Sequence, residues 1–119
     1  MNKIQVILGQ PPSKSNSYRI ITINGHGSLA KTKSLIEYER SFYLQCDKYR
    51  DANISGLFEL HLSVYNKSRR QDLDNSLKVI LDMLQKCNAI KNDRNCAKII
   101  AIYFIDKNNP RIEFSLKDI

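Results

Sequence analysis

The stretch FELHLSVYNKSRRQDLDNSLKVILDML, residues 58–84, changes from one hydrophobic period to another. Over residues 58–64 every second side chain is apolar, which is typical of a strand with one buried face. The connecting segment 66–71 is polar. Beyond it the apolar side chains recur at helical spacing: Leu73, Leu77, Ile80, Leu81 and Leu84. The stretch therefore predicts a half-buried strand followed by a helix from about residue 72 to about residue 86.

A second helix is predicted upstream, over residues 32–50. Its apolar side chains follow spacings of 3, 4, 4 and 3 and trace one face: Leu35, Tyr38, Phe42, Cys46 and Tyr49. A stripe of this kind is typical of packing against a core. After the downstream helix, Asn88 is of a residue type that often ends helices in the left-handed conformation.

Four further segments predict strands. Residues 3–8 and 18–23 precede the first helix, and residues 97–105 and 112–116 follow the second. The segment 97–105, apolar apart from Lys98, is typical of a central strand. The order β-β-α-β-α-β-β predicts an α/β (α+β) fold, in which a mixed sheet packs with two main helices. We expect a single domain over residues 1–119.

The composition excludes several classes of protein. With 42% hydrophobic and 26% charged residues among 119, the chain is of the ordinary globular type. Its longest apolar run, residues 99–105, is far shorter than the roughly 20 residues that a membrane helix needs. Because the start lacks a secretory signal, we expect a cytoplasmic protein with no membrane partner. The three widely spaced cysteines favour packed thiols over disulfides or a zinc site.

The charge favours a polyanionic partner. Nineteen basic residues against twelve acidic ones give a net charge of +7. The excess is spread over both halves of the chain, so no basic tail accounts for it. Because many small proteins are simply basic, charge alone does not separate nucleic-acid binding from solubility.

Two aspartates lie where the polar connection meets the downstream helix. Asp72 and Asp74 would point apart within one helix, but at an extended-to-helix junction both can face the same way. Lys78 follows one turn after Asp74 on the same side. One interpretation is structural: Asp72 caps the helix, while Asp74 suits the helix dipole and pairs with Lys78.

The neighbouring residues favour a second interpretation, a metal site beside a phosphodiester. Upstream, Lys67, Arg69 and Arg70 place three positive charges next to the carboxylates. Downstream, Asp93 lies in a loop that can fold back and supply a third carboxylate. Clustered carboxylates repel one another, and a bound Mg²⁺ relieves this repulsion while using their oxygens as ligands. The set therefore indicates Mg²⁺-assisted hydrolysis of a phosphodiester.

These residues carry a resemblance to a known family. The segment RRQDLDNSLKVILDML, residues 69–84, followed by NDR at 92–94, resembles the RusA-like Holliday-junction resolvases, which are small endodeoxyribonucleases. The likeness extends to the opening strand, to the loop PPSKSN at 11–16 and to the long helix. It implies a mixed sheet with helices, assembled as a homodimer whose carboxylates bind Mg²⁺ or Mn²⁺.

Carried over by position, the resemblance implies that Asp72, Asp74 and Asp93 are the metal ligands and that Lys78 is the catalytic lysine. The family often has two adjacent acids in its last motif, whereas Asn92 precedes Asp93 here, so the acidic role rests on Asp93 alone. The residues expected to contact DNA are polar or basic and lie in loops: Lys14, Asn16, Lys67, Arg69 and Arg70.

The leading hypothesis is a Mg²⁺-dependent endonuclease that resolves four-way junctions by two symmetric nicks. A homodimer supplies the two active sites that this requires, and no small-molecule cofactor is expected. One alternative is a non-catalytic basic module that binds DNA or RNA and uses its carboxylates as helix caps. Another is a related nuclease that acts on flaps or replication forks.

Overall fold

The computed structural model describes residues 3–13 and 17–119. Its strands are β1 (Gln5–Leu8), β2 (Tyr18–Ile23), β3 (His26–Lys31), β4 (Phe58–Asn66), β5 (Cys96–Ile105) and β6 (Arg111–Asp118). Its helices are α1 (Lys33–Gln45) and α2 (Asp74–Lys86), and a single 3₁₀ turn (Asp93–Asn95) precedes β5.

Four strands form a mixed sheet in the order β1-β6-β4-β5. β4 is parallel to β5 and antiparallel to β6, and β1 pairs antiparallel with β6. β2 and β3 form a separate antiparallel hairpin. The predicted α+β class, a mixed sheet with two main helices, is confirmed.

One face of the four-stranded sheet packs with both helices in a single core. The side chains of β4 alternate as predicted, and those on the core face are almost fully buried: Phe58, Leu60, Leu62 and Val64. Phe42 of α1 stacks on Phe114 of β6 with ring centroids 5.9 Å apart. The predicted stripe around α1 is buried in the same core, except that Tyr38 is only partly covered.

Two strand predictions need correction. No strand was predicted over residues 26–31, yet β3 forms there because its backbone pairs with β2, while the facing side chains Ile20 and Leu29 stay exposed. Residues 97–105 were predicted as a central strand, but β5 lies at the sheet edge. Five of its apolar side chains are 39–50% exposed: Ile99, Ile100, Ile102, Phe104 and Ile105.

The start of α2 also differs from the structural interpretation of the sequence. Its first residue is Asp74, and the residue before the helix, Leu73, forms no side-chain capping hydrogen bond. Asp72 meets the helix through its backbone carbonyl, which accepts from Asn75 N at 3.2 Å, so the interpretation in which the Asp72 side chain caps the helix is not confirmed. A different contact fixes this end, because buried Ser76 Oγ donates to Pro12 O at 2.7 Å and ties α2 to the loop after β1.

The other helix ends follow their sequence signals more closely. Thr32 caps α1, with its Oγ1 accepting from Leu35 N at 3.3 Å. α1 stops at Gln45, earlier than the predicted residue 50. Asn88 follows α2 with a φ of 59°, the left-handed conformation predicted for a helix stop. Neither of these helices is long and apolar enough to cross a membrane, and the same holds for every helix in the described ranges.

Candidate active site

The start of α2 presents two carboxylates to solvent. Asp72 precedes the helix, Asp74 is its first residue, and both are exposed. Within residues 3–13 and 17–119, neither carboxylate takes part in an ion pair. A negative charge is favourable at this end of a helix, where the backbone N–H groups point outward. Both carboxylates are thus available to bind a cation.

Lys78, one turn into α2, pairs with two other carboxylates. Its Nζ lies 2.6 Å from Asp93 Oδ2 and 3.2 Å from Asp82 Oδ1. The structural interpretation predicted an ion pair between Lys78 and Asp74, and the described part of the chain does not contain it. The structure instead brings together Lys78 and Asp93, which the sequence proposes for the same site.

The contact between Lys78 and Asp93 favours the charged form of both groups. The hydrogen bond from Lys78 holds the pKa of the Asp93 carboxyl below its usual value. In the same way, hydrogen bonds to Asp93 and then to Asp82 raise the pKa of Lys78. At neutral pH the pair is therefore a carboxylate and an ammonium group.

Asp93 is positioned by its own turn and by α2. Asn92 Oδ1 accepts a hydrogen bond from Arg94 N at 3.0 Å and so caps the 3₁₀ turn. The backbone N–H of Asp93 donates to Gln85 Oε1 of α2 at 2.9 Å. Asn92, which stands in place of a second acid, thus has a structural role.

Asp82 and Gln85 support this site, although the sequence analysis assigned neither a role. Asp82 follows Lys78 by four residues, a spacing that signals an ion pair on a helix. Gln85 meets the backbone of Asp93 only because the chain turns back after α2, and local patterns do not report such a contact.

The donor chemistry of the three predicted ligands fits a hard cation such as Mg²⁺. Asp72, Asp74 and Asp93 all offer carboxylate oxygens, and Lys78 contacts Oδ2 of Asp93, which leaves Oδ1 for another ligand. Among the described residues, however, no three His, Cys, Asp or Glu side chains are gathered closely enough to hold a metal. The predicted ligands thus have suitable chemistry but do not form a three-carboxylate cluster here.

The loop between β4 and α2 carries the predicted basic contacts, and all of them are exposed: Lys67, Arg69 and Arg70. The loop is fixed near its middle, because Tyr103 Oη donates to Ser68 O at 2.8 Å. Arg69 lines a shallow cavity together with Asp72, so positive charge lies beside the first carboxylate. The other two predicted DNA contacts, Lys14 and Asn16, lie outside the described residues.

The site lies within a segment that matches a known protein family. Residues 11–117 match the family described as Endodeoxyribonuclease RusA. This span covers nearly all of the 119 residues and contains every proposed catalytic residue. No match was found among curated protein sequences.

Proposed function

The chain belongs to the RusA endodeoxyribonuclease family, and from this premise we propose that it resolves four-way DNA junctions by paired, symmetric, Mg²⁺-dependent nicks. Family membership makes it a hydrolase that acts on DNA at Holliday junctions, rather than a non-catalytic binding module. The finer proposal is carried by one observation: Lys78 contacts Asp93, and the nearby carboxylates Asp72 and Asp74 form no ion pair within residues 3–13 and 17–119.

The three aspartates serve as metal ligands in this mechanism. Asp72 and Asp74 offer their carboxylates from the start of α2, and Asp93 offers Oδ1 from the 3₁₀ turn. When bound there, Mg²⁺ supplies positive charge that favours ionised water and neutralises phosphate oxygens. The protein's part is to supply three hard ligands, two from the start of α2 and one from the 3₁₀ turn that follows the helix.

Lys78 acts on the phosphate that is cleaved. Because Asp93 and Asp82 raise its pKa, Lys78 stays an ammonium ion at the pH of the reaction. A fixed cation stabilises the negative charge that develops on the phosphate oxygens in the transition state. Asp82, at 3.2 Å from Lys78 Nζ, is a positioning residue that restricts where this cation lies.

The basic loop holds the DNA backbone. Lys67, Arg69 and Arg70 are exposed next to the carboxylates, and the chain carries a net charge of +7. Phosphate contacts fix the position of a duplex without reading its sequence, which suits recognition of a branched shape. Lys14 and Asn16 are proposed as further contacts from the loop after β1.

A homodimer supplies the second active site, since two symmetric nicks need two sites and one chain contributes one. The support for a second copy lies at β5, which pairs with β4 alone within the described sheet. On the sheet face opposite the core, β5 exposes three apolar side chains: Ile100, Ile102 and Phe104. An exposed apolar edge strand readily pairs with another chain. We therefore propose that the second copy pairs at this edge.

Cleavage assays on labelled four-way junctions, flaps, forks and linear duplex, with and without Mg²⁺, test the proposed function. We expect paired cuts in the junction at symmetric positions, and only with the metal. Faster cleavage of flaps or forks would show that these structures, and not four-way junctions, are the substrate. Full activity in the presence of a chelator would refute the dependence on Mg²⁺. The Asp72→Asn variant is the control for a contaminating nuclease, which would still cut.

A further inference from the structure

A cavity of about 430 Å³ lies next to the candidate active site. It is lined by residues 10–13 and 17, by the first turns of α1 and by the segment that leads into α2. Two of its lining residues, Gln71 and Asn75, directly flank the pair Asp72 and Asp74 in sequence. The cavity and the carboxylates thus share the segment 71–75.

Two buried polar atoms of the lining residues lack a hydrogen-bond partner among the described residues. Tyr38 Oη and Gln71 Oε1 form no hydrogen bond within the part of the chain that the structure describes. Burial raises the pKa of Tyr38, so its hydroxyl keeps the proton and remains a donor. A buried polar group without a partner is unfavourable, and a ligand that fills the cavity would supply one.

The cavity combines apolar walls with positive charge. Pro11 and Pro12 contribute apolar surface, while Lys67 and Arg70 bring two cations. The proline wall is attached to the active-site helix, because Ser76 Oγ donates to Pro12 O at 2.7 Å. The shape of the cavity is therefore coupled to the position of α2.

These features fit one nucleobase with its neighbouring phosphates. The volume lies within the range of roughly 300–1,000 Å³ that is usual for small-ligand pockets. A base has apolar faces and an edge with donors and acceptors, which matches the proline wall, the Tyr38 hydroxyl and the Gln71 amide. A phosphate alone offers no donor to Gln71 Oε1. The cations Lys67 and Arg70 suit the phosphates on either side of an inserted base.

We propose that this cavity receives one unstacked nucleobase next to the cleaved phosphate, and that Tyr38 and Gln71 contact its edge. Cleavage then depends on the identity of that base. The proposal rests on the proposed function, because the bound junction delivers the base. Unstacking is least costly where pairing or stacking is already interrupted, as at a branch point.

The first test compares junctions that differ only in the base beside the cleaved phosphate. Wild type should cleave one of the four bases fastest. Tyr38→Phe removes only the hydroxyl and should reduce this preference about tenfold, and Gln71→Leu should reduce it as well. Tyr43→Phe is the matched control, since Tyr43 is exposed on the same helix and does not line the cavity. It should keep the wild-type preference. Urea unfolding should find Tyr38→Phe at least as stable as wild type, because the buried hydroxyl forms no hydrogen bond with the described residues that the variant could lose.

The second test needs no cleavage. Junctions that carry 2-aminopurine at the same position are bound without divalent metal, and the fluorescence should rise as the base unstacks. An abasic nucleotide at that position should weaken binding. The proposal is overturned if wild type shows no base preference, if both cavity variants keep it, or if no position gives a fluorescence change. Failure of the proposed function gives a result distinct from failure of the base site. In that case no junction is cleaved with Mg²⁺, but the fluorescence change still identifies the base site.

Discussion

The ammonium group of Lys78 lies 2.6 Å from Asp93 Oδ2, although fifteen residues separate the two in sequence. α2 supplies the lysine and the 3₁₀ turn supplies the carboxylate, so the contact exists only after the chain has turned back from the end of α2. It joins two parts of the site that the sequence keeps apart. The turn at residues 93–95 is therefore as necessary to this site as the helix.

Lys78→Ala should lower the single-turnover rate of junction cleavage by roughly 10²–10³-fold, because a preorganised cation stabilises the transition state. Junction binding should change little, since other cations supply most phosphate contacts. Lys86→Ala is the matched control, because Lys86 lies on the same helix and pairs with Glu39 instead. It should cleave at the wild-type rate. If Lys78→Ala cleaves as fast as wild type, Lys78 has no catalytic role and serves only as a structural ion-pair partner.

Asp72→Asn, Asp74→Asn and Asp93→Asn should each fold, bind junctions at least as tightly as wild type, and lose Mg²⁺-dependent cleavage. Asparagine keeps the size of the side chain but is a poorer ligand for Mg²⁺. The cost in stability should be small, at most about 1 kcal/mol for Asp74→Asn, which weakens a favourable helix-dipole interaction. Asp47→Asn, an exposed aspartate after α1, should cleave normally. Full activity in two of the three variants would refute the ligand set.

The sequence predicts an element well where burial imposes a period. The alternation from Phe58 to Val64 predicts β4 because each of these apolar side chains enters the core. β3 leaves no such pattern, since Ile20 and Leu29 face each other across the hairpin while both stay exposed. The apolar run in β5 resembles a buried strand although the strand lies at an edge. Local patterns thus report apolar surface, but not which surface ends up covered.

The sequence likewise predicts some features of the candidate site and not others. Asp72, Asp74 and Lys78 are proposed from spacing within one segment, and Asp93 is proposed from its place in a loop that can fold back and from the family resemblance. The partners of Lys78 do not follow, because sequence spacing permits Asp74 and Asp82 equally while the fold adds Asp93. The 430 Å³ cavity lined by Tyr38 and Gln71 also cannot be predicted from sequence patterns, because its lining comes from three segments that are far apart in the chain.

Glu39→Gln should destabilise the fold at neutral pH and not in strong acid. Glu39 joins β3, α1 and α2 through contacts of 2.9 Å with Lys31 and 2.8 Å with Lys86. Burial alone would raise the pKa of Glu39, but hydrogen bonds from Lys86 and Lys31 outweigh it, and the pKa is lowered. A carboxyl with a lower pKa in the folded than in the unfolded chain stabilises the fold above the unfolded pKa. This stabilisation disappears as the pH falls through the folded pKa.

We therefore expect Glu39→Gln to lower the free energy of unfolding by roughly 0.5–1 kcal/mol near pH 7 and to have no effect near pH 2, as measured by urea denaturation. Glu37→Gln is the control, because Glu37 is an exposed residue of the same helix that lies 4.0 Å from Lys33. It should change stability little at either pH. Equal losses for Glu39→Gln at both pH values would contradict the role of its charge.

Charge reversal at Arg69 or Arg70 should flatten the salt dependence of junction binding. The slope of log Kobs against log[salt] is about −0.9 per duplex phosphate neutralised, so the loss of one contact should reduce its magnitude by about one unit. Arg40→Glu changes the charge equally at an exposed residue of α1, away from the basic loop, and should leave the slope unchanged. If neither Arg69→Glu nor Arg70→Glu alters the slope, the DNA lies on another face.

Ile102→Lys should convert a dimer into a monomer. Ile102 lies on β5 at the free edge of the described sheet and is 50% exposed, so a lysine fits there without disturbing the core. Its charge opposes pairing of two apolar edges, which is how natural edge strands avoid association. Light scattering should give about twice 13.8 kDa for wild type and a single chain for the variant.

Ile20→Lys makes the same change at a 79% exposed isoleucine of the β2–β3 hairpin and should stay dimeric. Because each copy carries one site, Ile102→Lys should lose the paired cuts in a junction. A monomeric wild type that still nicks both strands symmetrically would contradict the dimer.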